Sequence, residues 1–180
     1  ASEACQDYRV DLGCLFLGRA ALKINPELGR RVTKEEALAH VERAREAGLI
    51  HMVGRNKLDT VWLGVGPGRQ LLTICNCCPC CCLWGVLPHV MPRISDKVHR
   101  MQGVAVTVNG DCVGCGACAD GVCFVDAIRL EAGRAVIDDG CRGCGRCVMV
   151  CPHDAIELSI DDDRFVDRAI AHLATLVDLD

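Results

Sequence analysis

Aromatic residues are scarce in this 180-residue chain, where phenylalanine, tyrosine and tryptophan together make up 3%. That excludes a core built on large rings, and with it a stacking platform for single-stranded nucleic acid. Positive charge is not in excess either. The formal net charge is −4, so the basic face that a phosphate backbone requires is missing and no nucleic-acid partner is expected. Long uninterrupted apolar runs are absent as well. The nearest approach to a membrane window is Leu71 to Met91, and six cysteines, Asn76, Pro79 and Pro88 interrupt it. No transmembrane segment and no direct membrane insertion are expected. The chain opens on Ala1 without a methionine, as expected of a processed or truncated product, and no signal peptide is read.

What the chain has in quantity is cysteine. Sixteen of its 180 residues are cysteine, about 9%, near the level that marks a disulfide scaffold in a short secreted protein. Clustering in Cys-x2-Cys units argues instead for metal in a reducing, cytoplasmic compartment. Cysteine counts toward the 51% hydrophobic content, so the ordinary apolar core is smaller than that figure suggests. Bound metal is expected to replace part of that core, and the metal-free form to fold poorly.

One stretch organises the rest. It reads Cys112-x2-Cys115-x2-Cys118-x4-Cys123, then Cys141-x2-Cys144-x2-Cys147-x3-Cys151-Pro152. Three thiolates at i, i+3 and i+6 with a fourth a few residues on is the ligation run of a two-cluster ferredoxin. A tight glycine-containing turn wraps three cysteines round one cubane, and the fourth opens the next helix. The stretch is also an internal duplication. Cys123-Phe-Val-Asp-Ala-Ile128 echoes Cys151-Pro-His-Asp-Ala-Ile156, and Cys112 and Cys141 stand 29 residues apart. Paired Cys-x2-Cys motifs also build zinc ribbons; two complete runs, each with its distant fourth cysteine, weigh against that.

Over roughly residues 103–160 the sequence resembles the bacterial dicluster ferredoxins. The resemblance implies that Cys112, Cys115, Cys118 and Cys151 hold one [4Fe-4S] cluster, and Cys141, Cys144, Cys147 and Cys123 a second. Two departures stand out: four residues separate Cys118 from Cys123, and Phe124 replaces the usual proline. A bulge in that loop and a shifted potential are the expected results.

The string Ile74-Cys-Asn-Cys-Cys-Pro-Cys-Cys-Cys82 is less familiar. It packs Cys75, Cys77, Cys78, Cys80, Cys81 and Cys82 into eight residues. Uncoordinated thiolates this crowded would raise one another's pKa and remain reactive, whereas a soft metal neutralises them. Iron–sulfur, zinc and Cu(I) are all admissible. The run through Glu36-Ala37, Ala47-Gly-Leu-Ile-His51, Asn56 and this string resembles a family of anaerobe iron–sulfur proteins that carry such a module directly before a dicluster ferredoxin. There Cys14-Leu15 falls in a recurrent cysteine-bearing segment. The resemblance implies an additional iron–sulfur cluster of unknown type and no settled reaction. Cys5, Cys14 and the six of the string would serve two more cubanes or one larger cluster. Adjacent cysteines do not easily ligate one iron, and the pairs resemble the cysteine-rich motif of heterodisulfide reductases. At least four of the six are expected to bind metal, with Cys5 or Cys14 completing the site.

The fold class expected is α+β: a C-terminal dicluster ferredoxin-type domain, a small mixed α/β cysteine-rich N-terminal module, and a C-terminal helix. The expected boundaries are 1–101, 102–160 and 161–180. A helix is read over 11–23. Thr33 and Glu36 form a capping box for a helix to Ala47, stopped at Gly48, burying Ala37, Leu38, Val41 and Ala44. Short strands are read at Leu49–Val53, Thr60–Leu63 and Arg69–Ile74, with Gly64–Gly68 as a turn and not a nucleotide loop. Residues 83–101 read as one or two short helices. Ferredoxin strands follow at 103–108 and 156–160, with a hairpin across Gly133. Asp161–Asp163 starts the last helix, expected to dock on the ferredoxin domain before a partner.

His51 reads as a structural histidine before an extra ligand or proton donor, and His89 and His99 as ordinary. His153 sits where it would tune a cluster, and Arg142 and Arg146 read by default as solvated surface near the second one. The function expected is an iron–sulfur electron-transfer protein or subunit with a redox protein partner or larger oxidoreductase complex. The rivals are a redox enzyme with an unusual cluster at 75–82 as its substrate site, and thiolate metal handling.

Overall fold

A computed structural model describes Cys5 and residues 7–178; residues 1–4, 6, 179 and 180, the extreme ends of the first and last expected modules, lie outside the described residues. In chain order the elements begin with β1 (Leu15–Leu17), α1 (Lys34–Glu46), β2 (Ile50–Gly54), α2 (Lys57–Trp62) and β3 (Leu72–Cys77). Then come α3 (Pro92–Ser95), β4 (Val104–Val108), β5 (Ile128–Glu131), β6 (Arg134–Ile137), α4 (Arg146–Met149), β7 (Ile156–Ile160) and α5 (Phe165–Leu176). The architecture is α+β with small antiparallel sheets and a C-terminal helix. No helix among the described residues is long and apolar enough to cross a membrane.

The chain divides into two compact units, the first formed by Tyr8–Cys77 with residues 166–178. Its sheet has the order β1-β3-β2, all antiparallel, with Leu15 opposite Ile74 and Met52 opposite Cys75. Strand alternation therefore sends Thr73, Cys75 and Cys77 to one face and Asn76, with His51 opposite it, to the other. The α1 capping box forms as read: Thr33 Oγ1 accepts from Glu36 N at 3.2 Å, and Glu36 Oε2 accepts from Thr33 N at 2.8 Å. Gly48, at φ +80°, lies just past its end. The buried stripe differs by one residue. Leu38 is 61% exposed, and His40 joins Ala37, Val41 and the buried Ala44 at spacings of three and four.

Two segments fold differently from expectation. The helix expected over 11–23 is strand β1 followed by a single 3₁₀ turn, Ala21–Lys23. Pairing with β3 claims Leu15-Phe-Leu17, and Gly18 at φ +96° ends the strand. The strand expected at Thr60–Leu63 is instead the end of α2. Asn56 caps that helix, its Oδ1 accepting from Leu58 N at 3.0 Å. Helix α5 follows an Asp162 turn, with Asp162 Oδ1 accepting from Arg164 N at 3.0 Å. Beyond Phe165 it belongs to the first unit and not, as expected, to the ferredoxin-type domain: Val177 is buried there and Asp178 N donates to Arg69 O at 2.6 Å.

The second unit comprises Cys78–Phe165 with Cys5 and Asp7. Strands β4 and β7 pair antiparallel, Val106 opposite Leu158. Strands β5 and β6 form a hairpin whose two turn residues, Ala132 and Gly133, both have positive φ (47° and 76°), the geometry that matches strand twist. The buried core is Val106, Cys118, Ile128, Ala135 and Ile156, with Cys112, Cys123, Cys141, Cys147 and Cys151 packed against it. Sulfur stands where a larger domain would place rings.

Candidate metal centres

The two cysteine runs fold into matching halves. Cys112-Val-Gly-Cys-Gly-Ala-Cys118 and Cys141-Arg-Gly-Cys-Gly-Arg-Cys147 place glycines at equivalent positions, and all four adopt left-handed φ: Gly114 69°, Gly116 85°, Gly143 69°, Gly145 75°. These turns curl each run so that its three thiols face one side. The fourth cysteine of each run opens a single tight turn, not a helix as expected. Asp126 and Asp154, at φ 53° and 49°, end those turns. Gly121, within the longer stretch between Cys118 and Cys123, also adopts a left-handed φ of +65°.

One cavity of about 300 Å³ is lined by Cys112, Cys115, Cys118 and Cys151, with His153 at its wall. Another, of about 350 Å³, is lined by Cys123, Cys141, Cys144 and Cys147, with Arg142 and Arg146 beside them. Each cavity thus takes three thiols from one run and one from the other. Backbone amides point at the sulfurs. Ala127 N donates to Cys123 Sγ and Ala155 N to Cys151 Sγ, both at 3.3 Å. Ala135 N donates to Cys112 Sγ at 3.3 Å and Gly143 N to Cys141 Sγ at 3.4 Å. A ring of soft donors round an open pocket, with N–H groups aimed at them, suits an iron–sulfur cluster.

The thiols are not electrostatically alike. The Ala135 amide, then that of Gly114, lowers Cys112 below its usual value. Burial raises Cys118 and Cys144. It also pushes Cys147 up to about 12, with Cys144, Cys141 and Cys123 adding to the rise. Groups held protonated at neutral pH release protons when metal binds, so filling these cavities is coupled to proton release. The arginines depart from the reading as solvated surface. Arg146 is 4% exposed, and Arg142 donates from Nη2 to Ser95 O at 3.5 Å and pairs with Asp96 at 3.6 Å.

The second cysteine string spans the end of β3 and the turn after it. Cys75 and the buried Cys77 lie on β3. Cys14 interacts with Cys75, whose thiol, followed by burial, raises the Cys14 pKa strongly. Past the strand, Cys5, Cys78, Cys80 and Cys81 converge, their sulfurs all within 4.8 Å of one another. Cys78 Sγ lies 3.3 Å from Cys81 Sγ and 3.5 Å from Cys80 Sγ, and Cys5 Sγ 3.9 Å from Cys78 Sγ and 3.7 Å from Cys80 Sγ. Burial alone would raise Cys78, yet the Cys81 amide and the neighbouring thiols outweigh it and bring it down to about 7. Cys80 is pushed up to about 11 by burial and then by Cys78 and Cys5. Cys82 precedes a 3₁₀ segment, Leu83–His89.

Among the polar groups of the first unit, Asp59 and His40 drew no expectation from the sequence, and His51 only that of a structural histidine. Asp59, in α2, accepts from Thr73 Oγ1 at 2.6 Å and Asn56 Nδ2 at 2.9 Å; burial, and after it Cys75, raises its pKa. Asn76 Nδ2 donates to Gly13 O at 2.8 Å, and His40 Nε2 approaches the same carbonyl at 2.8 Å. His51 Nδ1 donates to Asn76 Oδ1 at 2.8 Å, while its buried Nε2 meets no partner among the described residues. The Asn56-x2-Asp59 spacing is the one signal that could have found any of these. His89 and His99 are exposed.

Known proteins share part of this chain. Residues 118–160 match a family described as the LdpA Fe-S cluster-binding domain. A component of the ion-translocating oxidoreductase complex of Methanosarcina acetivorans is 39% identical over 71 residues, 39% of this chain and 25% of that protein. The polyferredoxin protein MvhB of Methanothermus fervidus is 44% identical over 46 residues, 26% of this chain and 11% of that one. The chain therefore spans at most a quarter of either relative. No solved structure matches. Geometry and relatives agree that the chain carries an iron–sulfur domain of ferredoxin-like type.

Proposed function

We propose that this protein is an electron-transfer component of a larger oxidoreductase complex, relaying electrons through two [4Fe-4S] clusters, with an additional thiolate metal site supplied from residues 75–82. The observation that carries the reading is the exchange of fourth cysteines. Cys151 lines the cavity of the first run and Cys123 that of the second, which is how two clusters are held close in one small fold. When bound, each cubane supplies a one-electron couple. The chain's own groups fix the rest: glycine turns orient the thiols, the amides of Ala127, Ala135, Gly143 and Ala155 donate to them, and the aliphatic core excludes water. The names of the two relatives, a component of an oxidoreductase complex and a polyferredoxin, favour a partner in the same kind of assembly.

The test uses the full chain purified without oxygen. Cys123→Ser should perturb one cluster by EPR and leave the other reducible. Adding Cys115→Ser should then remove the survivor, whereas adding Cys144→Ser should change little further, since both of those changes strike one site. The reverse pattern would overturn the crossed ligation, and a wild-type protein that takes up no electrons reversibly would overturn the relay.

A further inference from the structure

The geometry points to a single thiophilic metal ion held by Cys5, Cys78, Cys80 and Cys81 as a tetrahedral tetrathiolate, in place of a further cluster containing inorganic sulfide. This rests on the reading that the string binds metal and specifies how. A metal–thiolate bond of about 2.3 Å sets the edge of a tetrahedron of sulfurs at about 3.8 Å. Four of the sulfur–sulfur separations, 3.3, 3.5, 3.7 and 3.9 Å, lie on either side of that edge, and the remaining pairs fall within 4.8 Å. In a cubane each thiolate leaves a different corner, so the four sulfurs stand farther apart than the irons they bind.

The same chain supplies the contrast. Its ferredoxin thiols stand round cavities of about 300 and 350 Å³. Among the described residues no other group of three metal-ligating side chains converges as closely as the Cys5 set. All four of that set belong to one unit. The local chain explains how neighbours in sequence share one centre. Residues 79–81 form a turn after β3, so Cys81 folds back on Cys78 and Cys80 is carried toward Cys5. The expectation that adjacent cysteines would serve different irons holds for an extended segment, not for this turn. Binding replaces the remaining thiol protons with metal–sulfur bonds and leaves a divalent ion with four thiolates, a centre of charge −2. Iron or zinc meets that description.

Metal and acid-labile sulfide measured together decide the matter on the anaerobically purified full chain. Cubanes contribute iron and sulfide equally. The expected result is about one metal ion per chain beyond the sulfide count, as excess iron or as zinc, the identity of the excess naming the ion. Cys78→Ser and Cys81→Ser should each lose that ion with sulfide content and ferredoxin EPR signals unchanged. Cys14→Ser, outside the set, should retain it. Iron equal to sulfide in the wild type, sulfide falling with iron in Cys78→Ser, or loss of the ion in Cys14→Ser would each overturn the assignment. Failure of the electron relay is separate, since it shows as absent reversible reduction while the metal excess still stands.

Discussion

Equivalent glycines in the two halves are not equally replaceable. A Cβ on Gly114 would sit 2.1 Å from Gly133 O and 2.7 Å from its carbonyl carbon, both backbone atoms of the hairpin turn. On Gly143 the nearest atoms are Arg100 Cγ at 2.9 Å and Val104 Cγ1 at 3.0 Å, side chains that can rotate away. Both positions also carry the left-handed penalty of roughly 1–2 kcal/mol for a residue with a Cβ. Gly143→Ala should therefore cost about that much. Gly114→Ala should cost at least about 2 kcal/mol more, because hairpin and loop must part. Thermal unfolding of the two loaded variants compares them, and equal losses would refute the argument. These glycines are legible as turn-formers from their place between cysteines. The Gly133 contact is not, because it joins residues that only the hairpin brings together.

Among the elements, the second half differs from the first in charge. Where the first run has Val113 and Ala117, the second has Arg142 and Arg146, the latter buried. A cation in a weakly solvated position favours the reduced, more negative cluster, by tens of millivolts for a pair screened as near-surface charges are. Arg142→Val with Arg146→Ala should lower the potential of that cluster by such an amount and leave the other where it was, as read by an EPR-monitored redox titration. Equal shifts in both would place the effect elsewhere. The cysteine spacing, the Thr33–Glu36 capping box and the β4, β5, β6 and β7 strands are readable, because each depends on residues close in sequence or on a strong alternation. The exchange of Leu15–Leu17 from helix to strand is not, since its pairing partner is Leu72–Ile74. Helix α2 escapes a reading that does not treat Asn56 as a cap. The burial of Arg146 depends on packing that no local pattern announces.

For the whole molecule, the second unit's core is a handful of aliphatic side chains with cysteines packed against them. Its stability should depend on what those cysteines hold. Removing iron with a chelator under reducing conditions should abolish the cooperative unfolding of residues 103–160 and the amide protection of β4 and β7. The sheet of the first unit, whose core includes Leu49, Ile50, Leu71 and Leu72, should lose less. Hydrogen exchange resolves the two, and a metal-free protein that keeps protection in β4 would contradict the expectation. Cys5 carries one more implication. It lies 73 residues from Cys78, with their sulfurs 3.9 Å apart. Any atom that fastens the two turns the intervening chain, all three strands of the first sheet included, into a closed hoop. A hoop of that length disfavours the unfolded chain by about 4 kcal/mol on chain-entropy grounds. It also has a mechanical property that an open thread lacks: nicked once anywhere along its circumference, it stays in one piece.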